Sequence, residues 1–141
     1  MKVLVVYDSM TGNTERAAEY IGGAARDAGH EVTVRPVGAL DLKELATADI
    51  VFVGCWTDGL FFFGQRPGRA GKFRKMPVIT GKRVAAFCTY AINSGGTVDS
   101  LADILTDLGA DVVATAKIHR KRIAEEAKAF AAEALGAVPV A

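Results

Sequence analysis

Six residues near the start of the chain offer the clearest chemistry: Ser9-Met10-Thr11-Gly12-Asn13-Thr14, between the apolar run Val3 to Tyr7 and a helical pattern that begins near Ala17. Ser9, Thr11 and Thr14 supply hydroxyl donors at spacings of two and three, and Gly12 lets the backbone close around a small anion. A turn from strand to helix also presents backbone amides and the positive end of the helix dipole, so it can hold a phosphate without a lysine. The alternative is a simple helix cap by Ser9 or Asn13, residue types that cap well. One cap does not call for four polar positions and a glycine, so phosphate binding is the expectation. The loop is neither a Walker loop, since no Gly-Lys pair follows, nor a Gly-x-Gly-x-x-Gly dinucleotide turn.

Two further loops could contribute to a site. Gly54-Cys55-Trp56-Thr57-Asp58-Gly59 follows the third apolar run. Trp56, the only tryptophan, can stack on a planar ring, worth on the order of 1 kcal/mol beyond its burial, or it can be an ordinary core residue. Asp58-Gly59 suits a turn in which glycine takes a positive φ. Thr89-Tyr90-Ala91-Ile92-Asn93-Ser94-Gly95-Gly96 follows the fourth run; Tyr90 offers a second aromatic face, or the stretch is a polar turn into a helix capped near Thr97. Cys55 and Cys88 each close a central run without zinc-ligand spacing, and are expected to be buried, inert thiols.

These loops need a scaffold, and the rest of the chain describes one. Apolar runs at Val3 to Tyr7, Val32 to Arg35, Ile50 to Gly54, Val84 to Cys88 and Val112 to Ala116 alternate with segments of helical period. The first, third and fourth are continuously apolar, as strands buried on both faces must be; the second alternates and reads as an edge strand. Ala17, Ile21, Ala24 and Ala28, then Val98, Leu101, Leu105 and Leu108, then Ile123, Ala127, Phe130 and Ala134 mark three amphipathic helices. A short helix is expected over Leu42 to Ala46 and another around Gly68 to Met76. Gly29 and Gly109 stand where left-handed cap residues belong. The expected fold is a three-layer, doubly wound α/β domain over residues 1–141, with a five-stranded parallel sheet in the order 2-1-3-4-5. In such sheets a ligand lies beyond the carboxyl ends of the strands, where the strand order reverses.

Composition sets outer limits. At 141 residues, half of them hydrophobic, the chain can bury one good core. No apolar run approaches the roughly 18–20 residues of a spanning helix, so a cytoplasmic protein without membrane contact is expected. The formal net charge is +1, but Arg66, Arg69, Lys72, Arg74, Lys75, Lys82 and Arg83 fall in a stretch from Leu60 that holds no acidic residue. Leu60-Phe61-Phe62-Phe63, ahead of them, either walls a site or forms an apolar patch. His119-Arg120-Lys121-Arg122 reads as a surface turn and not a nucleic-acid site, since no aromatic platform is interleaved with it.

The segment Tyr7 to Glu15, YDSMTGNTE, resembles the phosphate-loop fingerprint of the flavodoxins: a Ser or Thr, any residue, Thr-Gly, any residue, and Thr. Asp8 departs from the small residue often found there. The resemblance extends over nearly the whole chain in element order, but it is specific only in the three loops. It implies noncovalent FMN held by Ser9, Met10, Thr11, Gly12, Asn13 and Thr14 at the phosphate, by Trp56, Thr57, Asp58 and Gly59 on one side of the ring, and by Thr89, Tyr90, Ala91 and Gly95 on the other. It further implies that a peptide at Asp58-Gly59 rotates toward N5 of the flavin. The role implied is electron transfer between redox partner proteins, reached here through the basic loop Arg66 to Lys75, by a monomer that needs no acid, base or nucleophile of its own. Flavodoxin carriers resemble one another in being strongly acidic, and this chain is not. An FMN-dependent oxidoreductase of the NAD(P)H/quinone or protoporphyrinogen type stays open as an alternative, as does a flavin-free module of the same fold. A receiver is disfavoured by Gly54-Cys55 where a phospho-acceptor aspartate is needed.

Overall fold

The computed structural model describes residues 1–10, 12–58, 66–67, 79–92 and 95–138. The chain opens with β1 (Lys2–Tyr7), in which Val3, Leu4, Val5 and Val6 are all buried. Four consecutive buried side chains require cover on both faces, because alternate residues of a strand point in opposite directions. That cover comes from α1 (Asn13–Asp27) and α4 (Ile123–Gly136) on one face, and from α2 (Leu42–Thr47) and α3 (Thr97–Asp107) on the other. Val3, Val5, Ile50, Phe52, Ala85 and Phe87 pack with α1 and α4; Leu4, Val6, Val51, Val53, Cys55, Val84, Ala86 and Cys88 form the opposite core.

The remaining strands are β2 (Glu31–Pro36), β3 (Ile50–Asp58), the two-residue β4 (Arg66–Pro67), β5 (Arg83–Tyr90) and β6 (Asp111–His119). The sheet runs β2-β1-β3-β5-β6 with every neighbour parallel, and β4 pairs antiparallel with the end of β3. The five long strands thus follow the expected order 2-1-3-4-5. β2 is an edge strand without a fully buried residue, as its alternating sequence requires. Gly29 and Gly109 hold φ of 92° and 96° just past α1 and α3, the left-handed values that end a helix with little strain in glycine.

All five long strands exceed their apolar runs, and two of the extensions, in β3 and β5, bear on the candidate site. Cys55 to Asp58, expected in a loop, continue β3, because Cys55 and Trp56 pair with Cys88 and Thr89 while Thr57 and Asp58 pair with Pro67 and Arg66. Thr89 and Tyr90 likewise extend β5 beside Ile118 and His119. Backbone pairing, which apolar runs do not report, carries both strands outward toward the candidate site. The helix expected around Gly68 to Met76 lies outside the described residues.

Candidate functional site

β1 delivers the chain to the point where the strand order reverses, between β2 and β3. Gly12 there is the N-cap of α1, with φ 93° and ψ −10°. Its N–H donates to Ser9 Oγ at 3.0 Å, and its carbonyl accepts from Arg16 N–H at 2.9 Å. Ser9 therefore folds the loop back on itself, and the helix starts at Asn13 without Ser9 or Asn13 serving as N-cap. Met10 points outward, 63% exposed. Thr11 lies outside the described residues. The helix entry, with the positive end of its dipole, faces the end of β1 where an anion is favoured.

Thr14 is fully buried, and its hydroxyl lies 2.7 Å from that of Thr89 at the end of β5. The Thr89 carbonyl in turn accepts from Thr57 Oγ at 3.0 Å. Three threonines thus tie the start of α1 to the ends of both central strands. Sequence reasoning singled out all three positions but missed these bonds: Thr14 and Thr89 are 75 residues apart, and only the parallel register brings them together.

Trp56 stands opposite Thr89 in the β3/β5 ladder. By alternation from Ile50 and Phe52 it occupies the α1 face, the face on which Thr89 meets Thr14. The indole is half-buried, but its Nε1 is sealed from solvent and has no hydrogen-bond partner among the described residues. Gly54, two residues earlier, accommodates the Phe87 ring, which would stand 2.1 Å from any added Cβ.

The third loop is assembled from the end of β5. Tyr90 is half-buried with its ring edge-on to His119, centroids 5.1 Å apart at 86°. Its carbonyl accepts from Arg120 N–H at 2.9 Å. Ala91 is exposed, and Gly95 turns the chain into α3 with φ 51°. Asp58 is present through its backbone pairing with Arg66, and Gly59 lies outside the described residues. So do Phe61, Phe62, Phe63 and most of the basic stretch up to Lys75.

Two neighbouring features bear on the electrostatics. Asp8 is buried, its N–H continues the ladder to the Gly54 carbonyl at 3.0 Å, and its charge acts on the Cys55 thiol in the opposite core. The Asp8 carboxylate therefore acts on the opposite side of the sheet from Thr14 and Thr89. Tyr7 has its phenol raised by burial and then by Glu15 of α1. The Ser9 and Thr14 hydroxyls and a buried indole N–H with no acceptor among the described residues form a donor set that fits a phosphate dianion, whose oxygens only accept.

Against known proteins, the flavodoxin family model matches residues 5–134. The chain is 32% identical over 118 residues to a flavodoxin of Nitratidesulfovibrio vulgaris (strain DSM 19637 / Miyazaki F), covering 79% of this chain and 80% of that protein. It is 30% identical over 117 residues to a flavodoxin of Megasphaera elsdenii, covering 83% and 85%. The solution structure of two-electron reduced Megasphaera elsdenii flavodoxin superimposes with a TM-score of 0.79 at 28% identity, over 95% of this chain and 98% of that one.

Proposed function

The chain belongs to the flavodoxin family and is an FMN-binding electron-transfer protein, and we propose that the loop from Ser9 to Thr14 holds the FMN phosphate while the ends of β3 and β5 enclose the rest of the cofactor. What carries this placement is Gly12: left-handed at the entry of α1, bonded to Ser9 Oγ, and set at the switch point of the sheet. Bound FMN supplies the redox chemistry, and the protein supplies position and electrostatics. Ser9 and Thr14 orient the phosphate, and the amides of Thr89, Tyr90 and Ala91 receive the polar end of the ring. Gly95 lets the loop after β5 fold close to it. Thr57 and Asp58 close the opposite side.

Flavodoxins pass electrons to redox partners, and this chain meets an acidic one through its basic surface, acting as a monomeric single domain. Among the described residues no helix is long and apolar enough to cross a membrane. The test is direct. Purified protein should be yellow, and apoprotein titrated with FMN should lose Trp56 fluorescence with an endpoint at one equivalent. The holoprotein should not oxidise NAD(P)H with quinone unless a separate reductase is added. A colourless protein whose fluorescence ignores FMN refutes the assignment, and self-contained NAD(P)H turnover replaces the carrier with an oxidoreductase.

A further inference from the structure

We propose that the indole N–H of Trp56 donates a hydrogen bond to the FMN phosphate, so that the only tryptophan of the chain acts as a phosphate ligand and not as a stacking platform for the ring. This rests on FMN being the cofactor, as proposed above. Trp56 and Thr89 are direct partners on adjacent parallel strands, which lie about 4.8 Å apart. The Thr89 hydroxyl touches that of Thr14, in the first turn of α1. Trp56 therefore shares the α1 face with the group nearest the phosphate loop.

Trp56 Nε1 is sealed from solvent and has no acceptor among the described residues. An indole nitrogen donates only, so no rotation or tautomer satisfies it. A buried donor left in this state is costly and needs an explanation, such as an unfilled ligand position. A phosphate oxygen in the loop beside Thr14 answers that need with a charge-assisted bond.

The threonine pair makes such a donor useful. Thr14 and Thr89 share one hydrogen bond in which either can donate. If Thr14 gives its proton to Thr89, only its lone pairs are left for an anion. With an anion present the favoured order is Thr89 donating to Thr14 and Thr14 donating outward. The Trp56 N–H has no such choice: it is a donor whichever way the hydroxyls turn.

Trp56→Phe removes the N–H and keeps an apolar ring, and riboflavin is FMN without its phosphate. The wild type and the variant are each titrated with FMN and with riboflavin, using flavin fluorescence. The variant should bind FMN about ten- to a hundredfold more weakly, the range for one hydrogen bond to a charged group, with riboflavin affinity unchanged. Equal weakening toward both ligands would assign Trp56 to ring stacking or to the fold, and no weakening would remove it from the site; either outcome overturns the proposal. A wild type that fails to bind FMN at all overturns the cofactor reading beneath it. A second measurement needs no variant. The single indole N–H proton resonance of the wild type should lie further downfield in the FMN complex than in the riboflavin complex, and coincident positions in the two complexes count against the bond.

Discussion

At the scale of the residue, Gly12 shows what the loop demands of the chain. Its φ of 93° is left-handed, and nothing lies within 4 Å of where a Cβ would stand, so the constraint is conformational and not one of space. Gly12→Ala should therefore cost roughly 1–2 kcal/mol of stability, and Gly12→Asn less, since Asn visits that region more readily. Urea unfolding of the three proteins checks this, and an alanine variant as stable as the wild type would show that the loop relaxes to another conformation. The need for this glycine was legible in the sequence, because hydroxyl residues around a glycine between strand and helix have few other uses. The partners of Thr14 and the face taken by Trp56 were not. Both depend on the register of β3 against β5, which no local pattern encodes. The expectation that Trp56 stacks on the ring came from its residue type, whereas the lack of an acceptor for its N–H among the described residues appears only once burial is known.

At the scale of the element, β3 and β5 place Cys55 beside Cys88 in the middle of one core. The run of apolar residues made these strands readable, and their buried thiols follow from the same pattern. Their outer ends escaped it because Trp56, Thr57, Thr89 and Tyr90 are held by ladder bonds and threonine hydroxyls. Burial pushes the Cys88 thiol from 9.0 up to about 11, and pushes Cys55 up as well, with Cys88 and Asp8 adding to it. Between pH 9 and 11 an unfolded chain has lost the Cys88 proton while the folded chain keeps it. The unfolded state then binds fewer protons, so stability is fully present below pH 9 and falls as pH rises toward 11. Cys88 alone should account for about 2–3 kcal/mol of that fall. Denaturation midpoints from pH 8 to 11 should drop more steeply for the wild type than for Cys88→Ala, and parallel curves would show that Cys88 ionises as easily folded as unfolded. Neither thiol should react with iodoacetamide at pH 8 until the protein unfolds.

At the scale of the whole molecule, 17 basic residues nearly balance 16 acidic ones, and where the charges sit matters more than their sum. Arg120 and Lys121 are exposed on the turn after β6, and Arg120 N–H fastens that turn to the Tyr90 carbonyl at the end of β5. Arg122 is partly offset by Glu126 at 3.3 Å, which leaves Arg120 and Lys121 as the more effective charges of the turn. Reduction places added negative charge on the flavin, and nearby cations favour it. Reversing both residues, Arg120→Glu with Lys121→Glu, changes four units of charge and should lower the reduction potential at low salt. The shift should shrink strongly near 1 M salt, where the Debye length is about 3 Å. Arg26→Glu provides the control, because Arg26 is exposed in the last turn of the 15-residue helix α1, at the end away from Gly12. If that reversal moves the potential as far per charge as the double variant does, or if neither moves it, the basic turn does not act on the flavin. A fall confined to the double variant and erased by salt would establish that a flavodoxin of near-neutral charge tunes its cofactor with a local cationic turn.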